Sequence, residues 1–164
     1  LDLCTGSGAI AVSLKKYLQN SIVYASDISL KALEIAKKNA KNNGVEIKFF
    51  KSDLFENLPN IKFDIIVSNP PYIKKDVIKT LDKEVQNEPR LALDGGIDGL
   101  DFYREIVNKG YHYLKYNSYL CLEIGYDQKE EVMEIIKNER NYTNTYCLKD
   151  LYDNNRVIVT RVGD

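Results

Sequence analysis

The sequence predicts an α/β fold: an open, doubly wound and mainly parallel sheet of seven strands, closed at the C-terminal end by an antiparallel hairpin. Short apolar runs rich in β-branched residues alternate with amphipathic helical segments along most of the chain. Such alternation is typical of parallel α/β sheets. The last two β-rich runs have only a turn between them, which predicts the hairpin. With 164 residues and 44% apolar content, we expect one domain spanning 1–164 with its own core.

The first half of the chain alternates strands and helices by simple periodicity. Ser29 can cap the second helix, and Gly44 can end it. In order, we predict a strand end at 1–3, a helix at 9–18, a strand at 22–26, a helix from 30 to beyond 40, and strands at 46–50 and 63–67.

The second half opens with a long charged segment, 73–97, which contains a proline and two adjacent glycines and is predicted to be a loop with one short helix. A helix should start at Asp98 and carry its apolar pattern to Leu114. Asp127 and Glu130 resemble a capping pair for the next helix. The remaining elements are a strand at 119–124, a helix at 128–137 and the hairpin strands at 143–148 and 157–162.

Charge and cysteine content exclude several classes of protein. Twenty-three basic residues face 24 acidic ones, so the chain has no bulk electrostatic attraction for nucleic acid or for an anionic membrane. No apolar run approaches the length of a membrane span. The three cysteines, Cys4, Cys121 and Cys147, are odd in number and far apart, which indicates reduced thiols in a cytoplasmic protein without a zinc site. We expect no metal and no direct nucleic-acid or membrane partner.

The most informative motif is Ser68-Asn69-Pro70-Pro71-Tyr72, directly after the predicted strand 63–67. Two prolines cannot continue a central strand, so the backbone must leave the sheet in a stiff, extended turn. The Asn69 side-chain oxygen and the Pro70 carbonyl are acceptors that no proline N–H can satisfy locally, and Tyr72 adds a flat ring. This combination suits a planar group bearing an NH2; a proline-rich turn with a packing tyrosine is the alternative.

Three further groups of candidate ligands follow the other predicted strands. Gly6 and Gly8 follow the first, Asp27 ends the second, and Asp53 follows the third. In open α/β sheets, ligands bind beyond the carboxyl ends of the strands. We therefore expect these residues and Asn69 to share one site.

The glycine turn 2–8 also fits a dinucleotide fingerprint or a plain strand-to-helix turn. Asp27 can accept hydrogen bonds from both hydroxyls of a ribose, or cap the following helix. Asp53 can accept from an adenine amino group while Leu54 packs on the ring, or cap a short helix at 54–58. Asp2 together with the Asn69–Tyr72 motif favours S-adenosylmethionine over a nicotinamide cofactor, because a carboxylate before the glycines repels a pyrophosphate but not an ammonium or a sulfonium.

These motifs resemble the class I S-adenosylmethionine-dependent methyltransferases, and within them the HemK-type glutamine N5-methyltransferases that act on peptide chain release factors. The resemblance covers essentially the whole chain. It is carried by DLCTGSGAIA from residue 2, ASDIS from 25, SDLF from 52, SNPPY from 68, EPRLALDGGIDGLDFYR from 88, LEIGYDQ from 122 and KDLYDNNRV from 149. Two departures are small: Cys4 stands where the family often has glycine, and Leu54 where an aromatic residue is frequent.

The resemblance implies methyl transfer from S-adenosylmethionine, giving S-adenosylhomocysteine, to the glutamine of the Gly-Gly-Gln motif of a release factor. It implies catalytic and substrate-binding roles for Asn69, Pro70, Pro71 and Tyr72. The implied cofactor-binding residues are Asp2, Cys4, Thr5, Gly6, Ser7, Gly8, Asp27, Ile28, Asp53, Leu54 and Asn69. It also implies a preceding helical domain that helps to hold the release factor and is missing from this fragment. We expect a monomer.

The motifs leave other functions open. Glutamine methylation of a ribosomal protein needs the same site. N6-adenine methylation of DNA needs the same two acceptors, but the near-neutral chain lacks a basic recognition segment. A non-catalytic binding module is a third alternative, which the intact Asn69–Tyr72 motif disfavours. The last alternative is a nucleotide-dependent oxidoreductase, which Asp2 disfavours.

Overall fold

The computed structural model describes residues 1–81 and 89–163, which form a seven-stranded mixed sheet. Its strands, in chain order, are β1 (Asp2–Leu3), β2 (Tyr24–Asp27), β3 (Lys48–Lys51), β4 (Phe63–Ser68), β5 (Leu114–Glu123), β6 (Tyr142–Lys149) and β7 (Asn155–Val162). The spatial order is β3-β2-β1-β4-β5-β7-β6. Strands β1 to β5 are parallel, and β7 lies antiparallel between β5 and β6. The predicted sheet and its C-terminal hairpin are confirmed.

Four α-helices accompany the sheet in the described part of the chain: α1 (Ala9–Tyr17), α2 (Leu30–Asn42), α3 (Asp101–Gly110) and α4 (Lys129–Lys137). The Ser29 hydroxyl accepts the Ala32 N–H at 3.2 Å and caps α2, and Gly44 (φ 65°) follows its end, as the sequence predicts. Segment 73–97 contains two single-turn 3₁₀ helices among its described residues, Ile78–Thr80 and Arg90–Ala92. None of the helices formed by residues 1–81 and 89–163 has the length and hydrophobicity of a membrane span.

Several boundary predictions were wrong, among them the start of α3, which lies at Asp101 rather than at Asp98. Helix α3 ends at Gly110, and after a 3₁₀ turn Leu114 already begins β5, where it pairs with Phe63 and is buried. Strand β2 begins at Tyr24 rather than at residue 22. Asp127 does not cap α4: the N-cap position is Gln128, which makes no side-chain capping bond. Apolar periodicity did not show that β5 begins as early as Leu114, because the spacing of Leu114 also fits the preceding helix.

Two apolar clusters fill the space around the sheet. The larger one packs α3 and α4 against the strands, with Tyr103, Ile106, Ile136, Ile66 and Leu122 almost fully buried. The smaller one joins α1 to β2, through residues such as Ala11 and Ala25. Because β2 lies on one side of β1 and β4 on the other, strand order reverses between β1 and β4. That reversal predicts a ligand crevice at their carboxyl ends.

Candidate active site

A cavity of about 700 Å³ lies at the carboxyl ends of β1 to β4. Its size falls within the range of small-molecule sites. The segments that follow four adjacent strands line it: Cys4–Ser7, Asp27–Ser29, Ser52–Leu54 and Asn69–Ile73. The predicted convergence of four strand ends is therefore what the structure shows.

The turn after β1 depends on residues in the left-handed backbone region. Gly6 has φ 55° and Gly8 has φ 83°. A Cβ on Gly8 would lie 2.9 Å from the Cβ of Ala36, so this glycine also allows α1 to approach α2. Cys4 adopts φ 61° although it carries a side chain. That conformation costs about 1–2 kcal/mol for a residue other than glycine, which explains why glycine suits this position.

Asp2 is fully buried and holds the turn from below. Its Oδ2 accepts the Thr5 hydroxyl at 2.5 Å and the Ala11 N–H at 3.0 Å, in the first turn of α1. Its Oδ1 has no hydrogen-bond partner in the described structure. Burial is the main cause that raises the Asp2 pKa to about 6. The carboxylate thus occupies the helix N-terminus at which a pyrophosphate would otherwise bind.

Asp27 accepts hydrogen bonds from two backbone N–H groups of the protein and also lines the cavity. Its Oδ2 accepts the Gly6 N–H and its Oδ1 accepts the Ser29 N–H, both at 2.9 Å. An ionised carboxylate offers about four acceptor positions, so each oxygen can take one more hydrogen bond. The helix-cap alternative is thus present in the structure without excluding contacts to a ribose.

In the segment after β3, Asp53 does not act as a cap for the following residues, which leaves its carboxylate for a ligand. Ser52, not Asp53, stabilises the following turn, because its hydroxyl accepts the Asn57 N–H at 2.9 Å. The Asp53 side chain is exposed at the cavity and accepts no hydrogen bond from the described residues. Leu54 and Ile28 also line the cavity and supply apolar surface.

The Asn69–Tyr72 loop forms the opposite wall of the cavity. Pro70 and Pro71 are buried, whereas Asn69 is exposed. Among residues 1–81 and 89–163, no group donates a hydrogen bond to the Asn69 side chain or to the Pro70 carbonyl. Both acceptors predicted from the sequence therefore lack a hydrogen-bond donor among residues 1–81 and 89–163.

A brace behind this loop was missed by the sequence reasoning. Gln128, itself buried, donates to the carbonyls of Tyr72 at 3.0 Å and Gly99 at 3.2 Å, and its Oε1 accepts the Gly125 N–H. A Cβ on Gly95 would lie 2.7 Å from the Tyr72 Cα, so only glycine allows this backbone approach. The glycines of segment 88–104 were a sequence signal of this close backbone approach. Glu88, the first residue of that segment, lies outside the described residues.

The structure brings together most of the predicted site residues. Those that line the cavity are Cys4, Thr5, Gly6, Ser7, Asp27, Ile28, Asp53, Leu54, Asn69, Pro70, Pro71 and Tyr72. Asp2 and Gly8 do not line it and act on the turn from behind. Leu93 and Phe102, which were not predicted, complete the apolar wall.

Comparison with known proteins agrees with this geometry. Residues 1–96 match the family model described as methyltransferase small domain. The chain belongs to this methyltransferase family. The release factor glutamine methyltransferase of Agrobacterium fabrum is 44% identical over 164 residues, covering 98% of this chain and 56% of that protein. That of Fusobacterium nucleatum is 43% identical, covering 98% of this chain and 46% of that protein.

Structural similarity supports the same fold. A SAM-dependent O-methyltransferase from Thermotoga maritima superposes with a TM-score of 0.72 at 11% identity, covering 99% of this chain and 58% of that one. The methyltransferase therefore has the class I S-adenosylmethionine-dependent methyltransferase fold. The chain spans about half the length of the curated relatives that it matches.

The thiol at the cavity of this methyltransferase is not suited to nucleophilic catalysis. Cys4 is the one thiol among the described residues that line it, and burial raises the pKa of that thiol to about 12. A thiol in this state is protonated near neutral pH and is a poor nucleophile. The other polar side chains of the lining include the Asp27 and Asp53 carboxylates, the Asn69 amide and several hydroxyl groups.

Proposed function

We propose that this chain is the catalytic domain of an enzyme that transfers a methyl group from S-adenosylmethionine to the glutamine side-chain nitrogen of a peptide chain release factor. The observation that carries the proposal is a pair of acceptors without a donor among the described residues, the Asn69 amide oxygen and the Pro70 carbonyl, on a proline-stiffened loop that lines the cavity. The names of the relatives, release factor glutamine methyltransferase, agree with a carboxamide substrate.

The residues of the other three strand ends fit the methyl donor. Asp27 has acceptor positions left for the hydroxyls of a ribose, and the exposed Asp53 carboxylate can accept from an adenine amino group. Ile28 and Leu54 provide apolar surface for the ring. Asp2 uses the Ala11 N–H and adds negative charge under the turn, which disfavours a pyrophosphate. When bound, the donor supplies an electrophilic methyl group on a sulfonium.

An amide nitrogen is a poor nucleophile, and the Asn69–Tyr72 loop makes its reaction easier by orienting it. If Asn69 Oδ1 and the Pro70 carbonyl each accept one amide hydrogen, the glutamine nitrogen is held in a single orientation. The same two oxygens would stabilise the positive charge that develops on the nitrogen as its lone pair forms the bond to the methyl carbon and the carbon–sulfur bond of the donor breaks. The methylated nitrogen then loses a proton and regains its conjugation. Alignment and electrostatic preorganisation each supply several kcal/mol to such reactions. Tyr72 packs on the amide plane and excludes water.

The decisive test is Asn69→Ala in the full-length enzyme, assayed with radiolabelled S-adenosylmethionine and a purified release factor. We expect kcat to fall by about 10²-fold or more, because one preorganised polar contact of the transition state is lost. Donor affinity, measured by calorimetry, should remain nearly unchanged. Asn60→Ala is the matched control, since Asn60 is exposed and lies outside the cavity lining. Full activity of Asn69→Ala would refute the role of this loop.

The same assay separates the substrates. Release factor, ribosomal protein and DNA are incubated in separate reactions, and we expect label on the release factor. Label confined to ribosomal protein or to DNA would replace the proposed substrate while leaving the donor site intact. We further propose that the enzyme is cytoplasmic, where its substrate is found, and monomeric, which light scattering of the full-length protein would check.

A further inference from the structure

The turn of the C-terminal hairpin exposes large apolar side chains beside the catalytic edge of the sheet. Leu151 is 101% exposed and Tyr152 is 87% exposed. Tyr126, which follows β5, is 67% exposed. We call these three residues the edge patch. Single exposed apolar residues are common on protein surfaces, so what distinguishes the edge patch is its position and its rigidity.

Strand register places the edge patch at the same edge as Asn69. Ser68 pairs with Leu122 in β5, and Leu122 pairs with Ile158 in β7. The chain leaves β5 towards Tyr126 in the direction in which β4 leads to Asn69, and the hairpin turn lies at the start of antiparallel β7. With a strand spacing of about 4.8 Å and a rise of about 3.3 Å per residue, the turn lies roughly 15–20 Å from Asn69.

Hydrogen bonds fix the backbone of the hairpin turn, although its apolar side chains do not pack into the core. The Asp150 carboxylate accepts the N–H groups of Tyr152 at 2.9 Å and Asn154 at 3.0 Å. It also pairs with the Arg156 guanidinium at 3.2 Å, which in turn donates to the Ile124 carbonyl at 3.1 Å. A turn fixed in this way presents its side chains with little loss of entropy on binding, which favours affinity.

We propose that the edge patch binds the protein that presents the glutamine to Asn69, a role that rests on the proposed function. A protein substrate that inserts one side chain into the cavity must cover the surrounding edge of the sheet. A standard interface buries about 800 Å² on each partner, which for a round footprint is a radius of about 16 Å, so an interface centred on Asn69 reaches the edge patch at its margin. Tyrosine is among the residues that dominate binding at such interfaces. The partner surface that fits is apolar and lies beside the glutamine loop.

The test is the double substitution Leu151→Ala and Tyr152→Ala in the full-length enzyme, with a release factor as the methyl acceptor. We expect KM for the release factor to rise about tenfold or more, as for loss of two interface anchors. At saturating release factor, kcat should stay near the wild-type value, and so should the affinity for S-adenosylmethionine. A structural defect would instead lower kcat, donor affinity and the melting temperature together.

The chain offers a matched control on the opposite edge of the sheet. Tyr17 is 84% exposed and Ile22 is 70% exposed, and both lie before β2 at the amino ends of the strands. The double substitution Tyr17→Ala and Ile22→Ala should leave KM unchanged. The proposal is overturned if KM rises no more in the edge-patch variant than in this control. If the unaltered enzyme does not methylate release factor at all, the proposed function fails and this inference fails with it.

Discussion

Replacing Gln128 with leucine should remove the brace behind the Asn69–Tyr72 loop while filling nearly the same volume. The Gln128 side chain is only 5% exposed. It accepts one hydrogen bond from Gly125 and donates two, to the carbonyls of Tyr72 and Gly99. Leucine can make none of these bonds, so three backbone groups lose their partner at once.

The structure sets the size of the effect. A buried polar group left without a partner costs about 1–3 kcal/mol. For one N–H and two carbonyls, allowing some access of water, we expect the free energy of unfolding to fall by about 3–5 kcal/mol. The loop that carries Asn69 also loses its fixed position, so kcat should fall by at least about tenfold, because alignment supplies much of the rate. Donor affinity should change less, since Asp27 and Asp53 lie on other loops.

Urea unfolding of the variant gives the stability change, and steady-state kinetics with release factor gives kcat. Gln19→Leu is the control, because Gln19 is exposed and its side chain forms no hydrogen bond with the described residues. An exposed substitution of this kind should change stability by less than about 0.5 kcal/mol. If Gln128→Leu changes stability no more than Gln19→Leu does, and kcat is also unchanged, Gln128 does not brace the loop.

Two further substitutions test residues beneath the site. Burial raises the pKa of Asp2 from 3.8 to about 6, so the folded protein binds this proton more tightly than the unfolded chain does. The Asp2 contribution to the free energy of unfolding should therefore fall by about 3 kcal/mol in total as pH rises from about 3 to 7, and most of the loss lies between about pH 4 and 6. Asp2→Asn removes this contribution, and a pH-independent difference between the two urea unfolding curves would contradict the argument. Gly95→Ala places a Cβ 2.7 Å from the Tyr72 Cα, which should cost about 1–3 kcal/mol and lower kcat. Gly44→Ala, where a Cβ meets nothing within 4 Å, should leave kcat unchanged, and an equal loss of kcat in both glycine variants would refute the steric explanation.

The sequence predicted the sheet and the edge that carries the site for a simple reason. The carboxyl ends of parallel strands meet at one edge, so residues that follow successive strands must come together. Asp27 ends a strand, and Gly6, Asp53 and Asn69 follow one. The structure places all four around one cavity. The two prolines likewise determined locally that β4 ends before Asn69.

Local patterns failed where a distant partner decides the conformation. Leu114 continues the apolar spacing of α3, yet it pairs with Phe63, 51 positions earlier in the chain, and joins β5. Asp127 has the spacing of a helix cap, but it does not cap α4. The next side chain, Gln128, holds the Asn69–Tyr72 loop instead. Gln128 forms its hydrogen bonds across the fold, where no sequence pattern indicates a partner.

The sequence by itself thus determined which chemical groups reach the edge that carries the cavity, because strand ends, prolines and glycines act through the backbone next to them. Only the tertiary structure decided how those groups are held. Gln128 contacts a carbonyl 56 positions away, and Gly95 is required by the backbone of Tyr72. Contacts of this kind exist only after the sheet has assembled, since packing rather than local propensity selects the partner.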